Sequence, residues 1–124
     1  MSKRLPILAV VMTLGLSACQ QNPLTKNSEE DTTRFLINAS IAATKSMGLG
    51  LNDIEASRAY LNCMDGKVQK YDCSTLYAKM TKVADDARFS AFKGVSVAQL
   101  TDKDTYNRVR EGYEQRFFMN NLEN

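Results

Sequence analysis

The chain opens with one unbroken apolar run and then changes to stretches in which apolar residues return every three or four positions. The run extends from Leu5 to Ala18, about 14 residues, short of the roughly 20 that a helix needs to cross a bilayer. From Ser28 onward the helical period takes over. Leu36, Ala39, Ala43 and Met47 recur at helical spacing, and Ile37 and Ile41 widen the stripe. Ser28 stands as an N-cap before Glu29, Glu30 and Asp31, which suit the positive end of a helix dipole, and Gly48 supplies a stop. A second, shorter helix opens at Asn52-Asp53-Ile54-Glu55, where an N-cap is followed three residues later by Glu. Ile54, Leu61 and Met64 are expected on its inner face, with an end near Asp65-Gly66.

Asp65 to Asp72 has turn residues and no helical stripe, predicting a loop that Val68 and Tyr71 could anchor. A third helix, capped by Asp72 or Ser74, is expected to carry Leu76, Met80, Val83, Ala84, Ala87 and Ala91 inward and to stop at Gly94. Val95 to Thr101 reads two ways: Val-Ser-Val alternates like a strand, while Ser96 with Gln99 could cap a helical turn. The last helix begins at Thr101-Asp102-Lys103-Asp104 and places Tyr106, Val109, Tyr113 and Phe117 at steps of three and four. Gly112 weakens it by up to about 1 kcal/mol relative to Ala. Amphipathic helices without a sustained strand predict an all-α fold, a small bundle of about four short helices.

Lys3 and Arg4 precede the opening apolar run and small residues close it, the three parts of a secretory signal. Its end, Leu16-Ser17-Ala18-Cys19, resembles the lipobox of bacterial lipoproteins. The resemblance implies that residues 1–18 are removed and that Cys19 becomes an acylated first residue. Several acyl chains anchor far more durably than one. Gln20 in place of Asp implies sorting to the outer membrane in the common Gram-negative pattern. The expected plan is a signal peptide over 1–18, a lipidated Cys19 with a flexible tether through residue 27, and a helical domain over 28–124. The tether QQNPLTKN contains Pro23 and no periodicity, and reaches about 28 Å at full extension.

Removal of the signal changes the charge and the cysteine count. With Lys3 and Arg4 gone, 14 basic residues face 14 acidic ones, so neither nucleic acid nor acidic lipid at large is indicated as a partner. With Cys19 assigned to lipid, Cys63 and Cys73 remain and are expected to pair in an oxidising periplasm, stapling a helical hairpin. A redox-active Cys73 at a helix N-terminus is the competing reading, against which stand a nine-residue spacing and the lack of any His.

Absence of His also removes the usual zinc site, the Ser-His-Asp triad and the commonest general base. Ser90-Ala91-Phe92-Lys93 matches the S-x-x-K of penicillin-binding proteins, but no S-D-N or K-T-G accompanies it. Asp102-Lys103-Asp104 begins like an EF-hand loop and then departs from it at Tyr106 and Asn107. Gly48-Leu49-Gly50 lacks the third Gly of a dinucleotide fingerprint. Glu111 and Glu114 are the most available acidic pair for an enzyme, and are more simply partners of Arg108 and Arg110. No catalytic residue, cofactor, metal or small-molecule substrate is therefore expected.

Two surfaces are candidates for binding. Lys67 and Lys70, with Lys79 and Lys82 further on, make the middle of the chain locally basic. Near the C-terminus Arg108, Arg110 and Arg116 interleave with Tyr113, Phe117 and Phe118, and Phe118 is the best single candidate for an exposed contact. These features predict a non-catalytic outer-membrane lipoprotein, membrane-bound through Cys19, that holds another envelope protein. The lipobox with Asn62-Cys63 and Asp72-Cys73 also resembles plasmid entry-exclusion lipoproteins, which implies a block on redundant conjugative transfer. An inhibitor of an envelope hydrolase such as lysozyme is the contrasting expectation.

Overall fold

The structure, a computed structural model, describes residues 22–123, with side chains through residue 116. Cys19 and the rings of Phe117 and Phe118 lie outside the described residues. Helices α1 (Pro23–Lys26), α2 (Glu29–Ser46), α3 (Asp53–Met64), α4 (Cys73–Val83), α5 (Val97–Leu100) and α6 (Lys103–Glu123) follow in order, with a 3-10 segment at Ala87–Phe92 between α4 and α5. The fold is all-α, without a strand among the described residues. A disulfide between Cys63 and Cys73, with Cα atoms 5.8 Å apart, ties the end of α3 to the start of α4.

Helix α2 is central and packs on α3, α4 and α6. Ser28 Oγ accepts from the Asp31 N–H at 3.1 Å, and the buried face carries Phe35, Leu36, Ala39 and Ala43. Its Ser40 hydroxyl donates to the Ala56 carbonyl at 2.7 Å and accepts from the Tyr60 N–H at 3.1 Å. This satisfies a buried hydroxyl where two helices touch. On α3, Asn52 and Glu55 form the expected capping box, but Ile54 is 61% exposed. The inner face is set by Ala56, Tyr60 and Met64, and Ile54 lies about 200° round the helix from Ala56. Tyr60 is fully buried at the centre of the core, with the rings of Tyr77, Tyr106 and Tyr113 centred 6.2, 5.8 and 6.3 Å away.

The third helix is shorter than its stripe predicts. Helix α4 ends at Val83, not at Gly94; Ala84 is buried, whereas Ala87 and Ala91 are exposed. Two carboxylates at Asp85 and Asp86 oppose the negative end of the helix dipole. Asp86 instead captures the Arg88 N–H at 2.9 Å and starts the 3-10 segment. Within the ambiguous Val95 to Thr101, Val97–Leu100 form α5, opened by the Ser96–Gln99 capping box.

Residues 22–27, expected as tether, are folded. Asn22 caps α1 by accepting from the Leu24 N–H at 2.9 Å, Pro23 takes the first turn, and Leu24 is fully buried. The Leu24 carbonyl accepts from Thr32 Oγ1 at 3.0 Å and from the Arg108 guanidinium. Asn22 and α1 therefore belong to the folded domain. On α6, Tyr106, Val109 and Tyr113 are buried as expected. A Cβ at the weak helix former Gly112 would stand 3.4 Å from Thr33 Oγ1 of α2, an ordinary contact.

Candidate functional site

Three features outside the core carry charge or exposed apolar surface. The first is the stapled loop. Gly66, at φ +78°, closes α3 as only a residue free of a Cβ does easily, with Gly66 N–H donating to Cys63 O and Lys67 N–H to Asn62 O. This turn and the disulfide fix the loop at both ends. Tyr71 packs against the core, but Val68 is 97% exposed and anchors nothing. Lys67 and Lys70 are exposed on either side of it.

The second feature is an ion network along α3 and α6. Arg58 holds both oxygens of Glu114 at 2.9 and 3.3 Å, and Arg110 holds both oxygens of Asp65 at 3.1 and 2.9 Å. Arg110 also reaches Glu114 at 3.5 Å, linking the two pairs. Tyr106 donates its hydroxyl to Asp65 at 2.6 Å. The Arg110 hydrogen bond holds the Asp65 carboxyl below its usual range, and Arg58 does the same to Glu114. Burial, reinforced by Asp65, pushes the Tyr106 phenol up. Glu114 is thus a clamp between helices, and Arg110, expected as a binding residue, has its guanidinium committed within the domain. Arg108 turns to Glu29 and not to Glu111.

A carboxyl whose folded pKa is depressed contributes stability above its unfolded pKa and loses it as pH falls through the folded value. Asp65→Asn should therefore cost about 1 to 2 kcal/mol at neutral pH. The difference from the parent should shrink as the pH falls through and below the ordinary carboxylate range. Urea titrations of both proteins across that range check this; a gap constant with pH would show that the Asp65 charge contributes nothing.

The third feature is a cleft of about 260 Å³ between α2 and the 3-10 segment. Its floor is aromatic: Phe35 stacks on Phe92 at 4.3 Å and meets Phe89 edge-on at 5.4 Å. Its rim carries Arg34, Asn38, Arg88 and Ser90. The Arg88 guanidinium lies 5.0 Å from the Phe89 ring centre and 3.3 Å from Asp86. Arg88 also borders a more open basic cleft of about 470 Å³ with Lys79 and Lys82. Those two lysines sit on the far half of α4, about 9 Å or more along its axis from Cys73. The basic stretch read from sequence is thus two separate patches.

The chain matches no protein-family model, no curated protein and no solved structure. Functional argument rests on the residues themselves. Among the described residues no cluster of Cys, Asp and Glu could hold a metal ion, and no helix is long and apolar enough to cross a membrane. Sequence reasoning missed the aromatic cleft because it treated residues 73–93 as one helix. The adjacent Asp85 and Asp86 were the available signal for a break, and a break turns Phe89 and Phe92 toward Phe35.

Proposed function

We propose that this chain is a non-catalytic lipoprotein of the bacterial outer membrane whose helical domain holds a partner protein in the cleft between α2 and the 3-10 segment. The observation that carries the binding reading is the cleft's composition: Phe89 as its accessible ring over the buried Phe35 and Phe92, with Arg34, Asp31 and Arg88 on its rim. Aromatic rings and Arg are the side chains that most often dominate protein interfaces, because they offer large contact area with few rotors to freeze. The lipobox-like Leu16-Ser17-Ala18-Cys19 supports the anchor, and the want of any His in the chain supports a role without catalysis.

A photo-crosslinking residue at Ser90, on the rim, should yield a discrete protein adduct in intact envelopes, and one at Ile54 on α3 should not. Arg88→Ala and Phe89→Ala should each weaken the isolated complex about ten- to thirtyfold, the effect of losing roughly 1.4 to 2 kcal/mol. Both variants should keep the helical circular dichroism of the parent. No adduct at position 90, or adducts equal at 90 and 54, would remove the cleft as the binding site. Acylation is checked separately by the mass of the Cys19 peptide, which Cys19→Ala should return to that of an unmodified chain.

A further inference from the structure

The start of the domain and the stapled loop meet at one turn of α6. Asn22 Nδ2 lies 3.5 Å from Thr105 Oγ1, and Lys103 Nζ donates to the Met64 carbonyl, at the end of α3, at 3.2 Å. Thr105 and Lys103 are two residues apart, so Asn22 and the root of the loop flank the same turn. Lys103 and Thr105 point about 160° apart round α6, so the two contacts lie on opposite sides of that turn. Beyond that root the loop presents Lys67-Val68-Gln69-Lys70, with Val68 97% exposed. Neither ammonium has a hydrogen-bond or ion-pair partner among the described residues. The disulfide and the Gly66 turn hold this tip away from the core.

We propose that the loop tip is a second membrane contact, in which Val68 enters the interfacial layer of the bilayer and Lys67 and Lys70 meet the phosphates of anionic phospholipid. This rests on the reading of Cys19 as the lipid anchor. Three peptide steps separate Cys19 from Asn22, a span of at most about 11 Å. An anchored chain therefore holds Asn22, and the loop beside it, close to the headgroups. An apolar tip flanked by lysines suits that layer, where apolar burial and attraction to anionic lipid act together. Asp72 and Asp102 are exposed but engaged as helix caps, accepting from the Thr75 and Thr105 N–H groups respectively, and no acid lies between Gly66 and Tyr71. Asp104 is exposed on the same turn, and Asp65, which feels the charge of Lys67, is already held by Arg110 and Tyr106.

The chain has no Trp, so Val68→Trp introduces a sole reporter at a site whose side chain touches almost nothing. The processed protein carrying it is placed in vesicles of phosphatidylethanolamine and phosphatidylglycerol, beside Ile54→Trp at the opposite end of α3. Expected are a blue-shifted emission from the indole at position 68 and its quenching by brominated lipid, with the indole at position 54 remaining aqueous. Adding Lys67→Ala and Lys70→Ala should lower the vesicle partition of the Cys19→Ala form about thirtyfold at low salt. An indole at position 68 as aqueous as the one at position 54 would overturn the proposal, and so would its shielding by an added envelope protein but not by lipid. The mass of the Cys19 peptide separates the two readings. An unmodified Cys19 removes the anchor, while quenching of the position-68 indole on sedimented vesicles still decides the loop.

Discussion

Tyr60→Ala is expected to lower the stability of the domain by about 3 to 5 kcal/mol, the range for truncating a large buried aromatic. Tyr60 is fully buried and its ring meets Tyr77, Tyr106 and Tyr113. Its removal opens a cavity where α3, α4 and α6 face one another, and the backbone of three helices cannot collapse into it together. Its hydroxyl donates to the Leu100 carbonyl at 2.7 Å and so also ties down α5. Tyr60→Phe separates the two roles: it keeps the ring, strands a buried carbonyl, and should cost about 1 to 3 kcal/mol. Thermal and urea unfolding of the three proteins measure both steps. A loss below about 1 kcal/mol for the Ala variant would mean that the tyrosine cluster is not the centre of the core.

The paired change Cys63→Ala with Cys73→Ala should cost roughly 2.7 kcal/mol, the chain-entropy value for closing a loop of about 11 residues. The residues are ten apart in sequence, and their bond joins elements that share few other contacts. Because the term acts on the unfolded chain, folded-state helicity should be unchanged while the urea midpoint falls. Reduction of the parent with dithiothreitol should reproduce the shift. An unchanged midpoint in both cases would show that the stabilisation lies elsewhere.

Much of this fold is legible in the sequence because its helices announce their starts. Ser28, Asn52 and Asp72 each accept from the backbone N–H three residues on, and that chemistry is local. Where a helix ends depends more on its neighbours. The stop after Val83 depends on Asp86 turning back to Arg88, and periodicity alone carries the stripe through Ala87 and Ala91 to Gly94. Pro23-Leu24 shows the opposite error. Four helical residues are too few to show a period, yet Leu24 finds a fully buried place on a helix that packs against α2 and the 3-10 segment. The candidate cleft was hidden for the same reason, since Phe35 and Phe89 are 54 positions apart and only the break after α4 brings them together. Lys67 and Lys70 were readable as a basic loop, but the full exposure of Val68 between them follows from the Gly66 turn and the packing of Tyr71.

The seating of Leu24 also determines how the domain bears load. A chain leaving at Asn22 does not end in a slack strand. A pull applied there passes through Leu24 and its carbonyl, held by Thr32 and Arg108, into α2 and α6 together. Under a pull at Asn22 the first event expected is extraction of Leu24, which frees the residues of α1 and leaves the disulfide-bonded hairpin untouched. The short first helix thus couples Asn22 directly to two of the long helices.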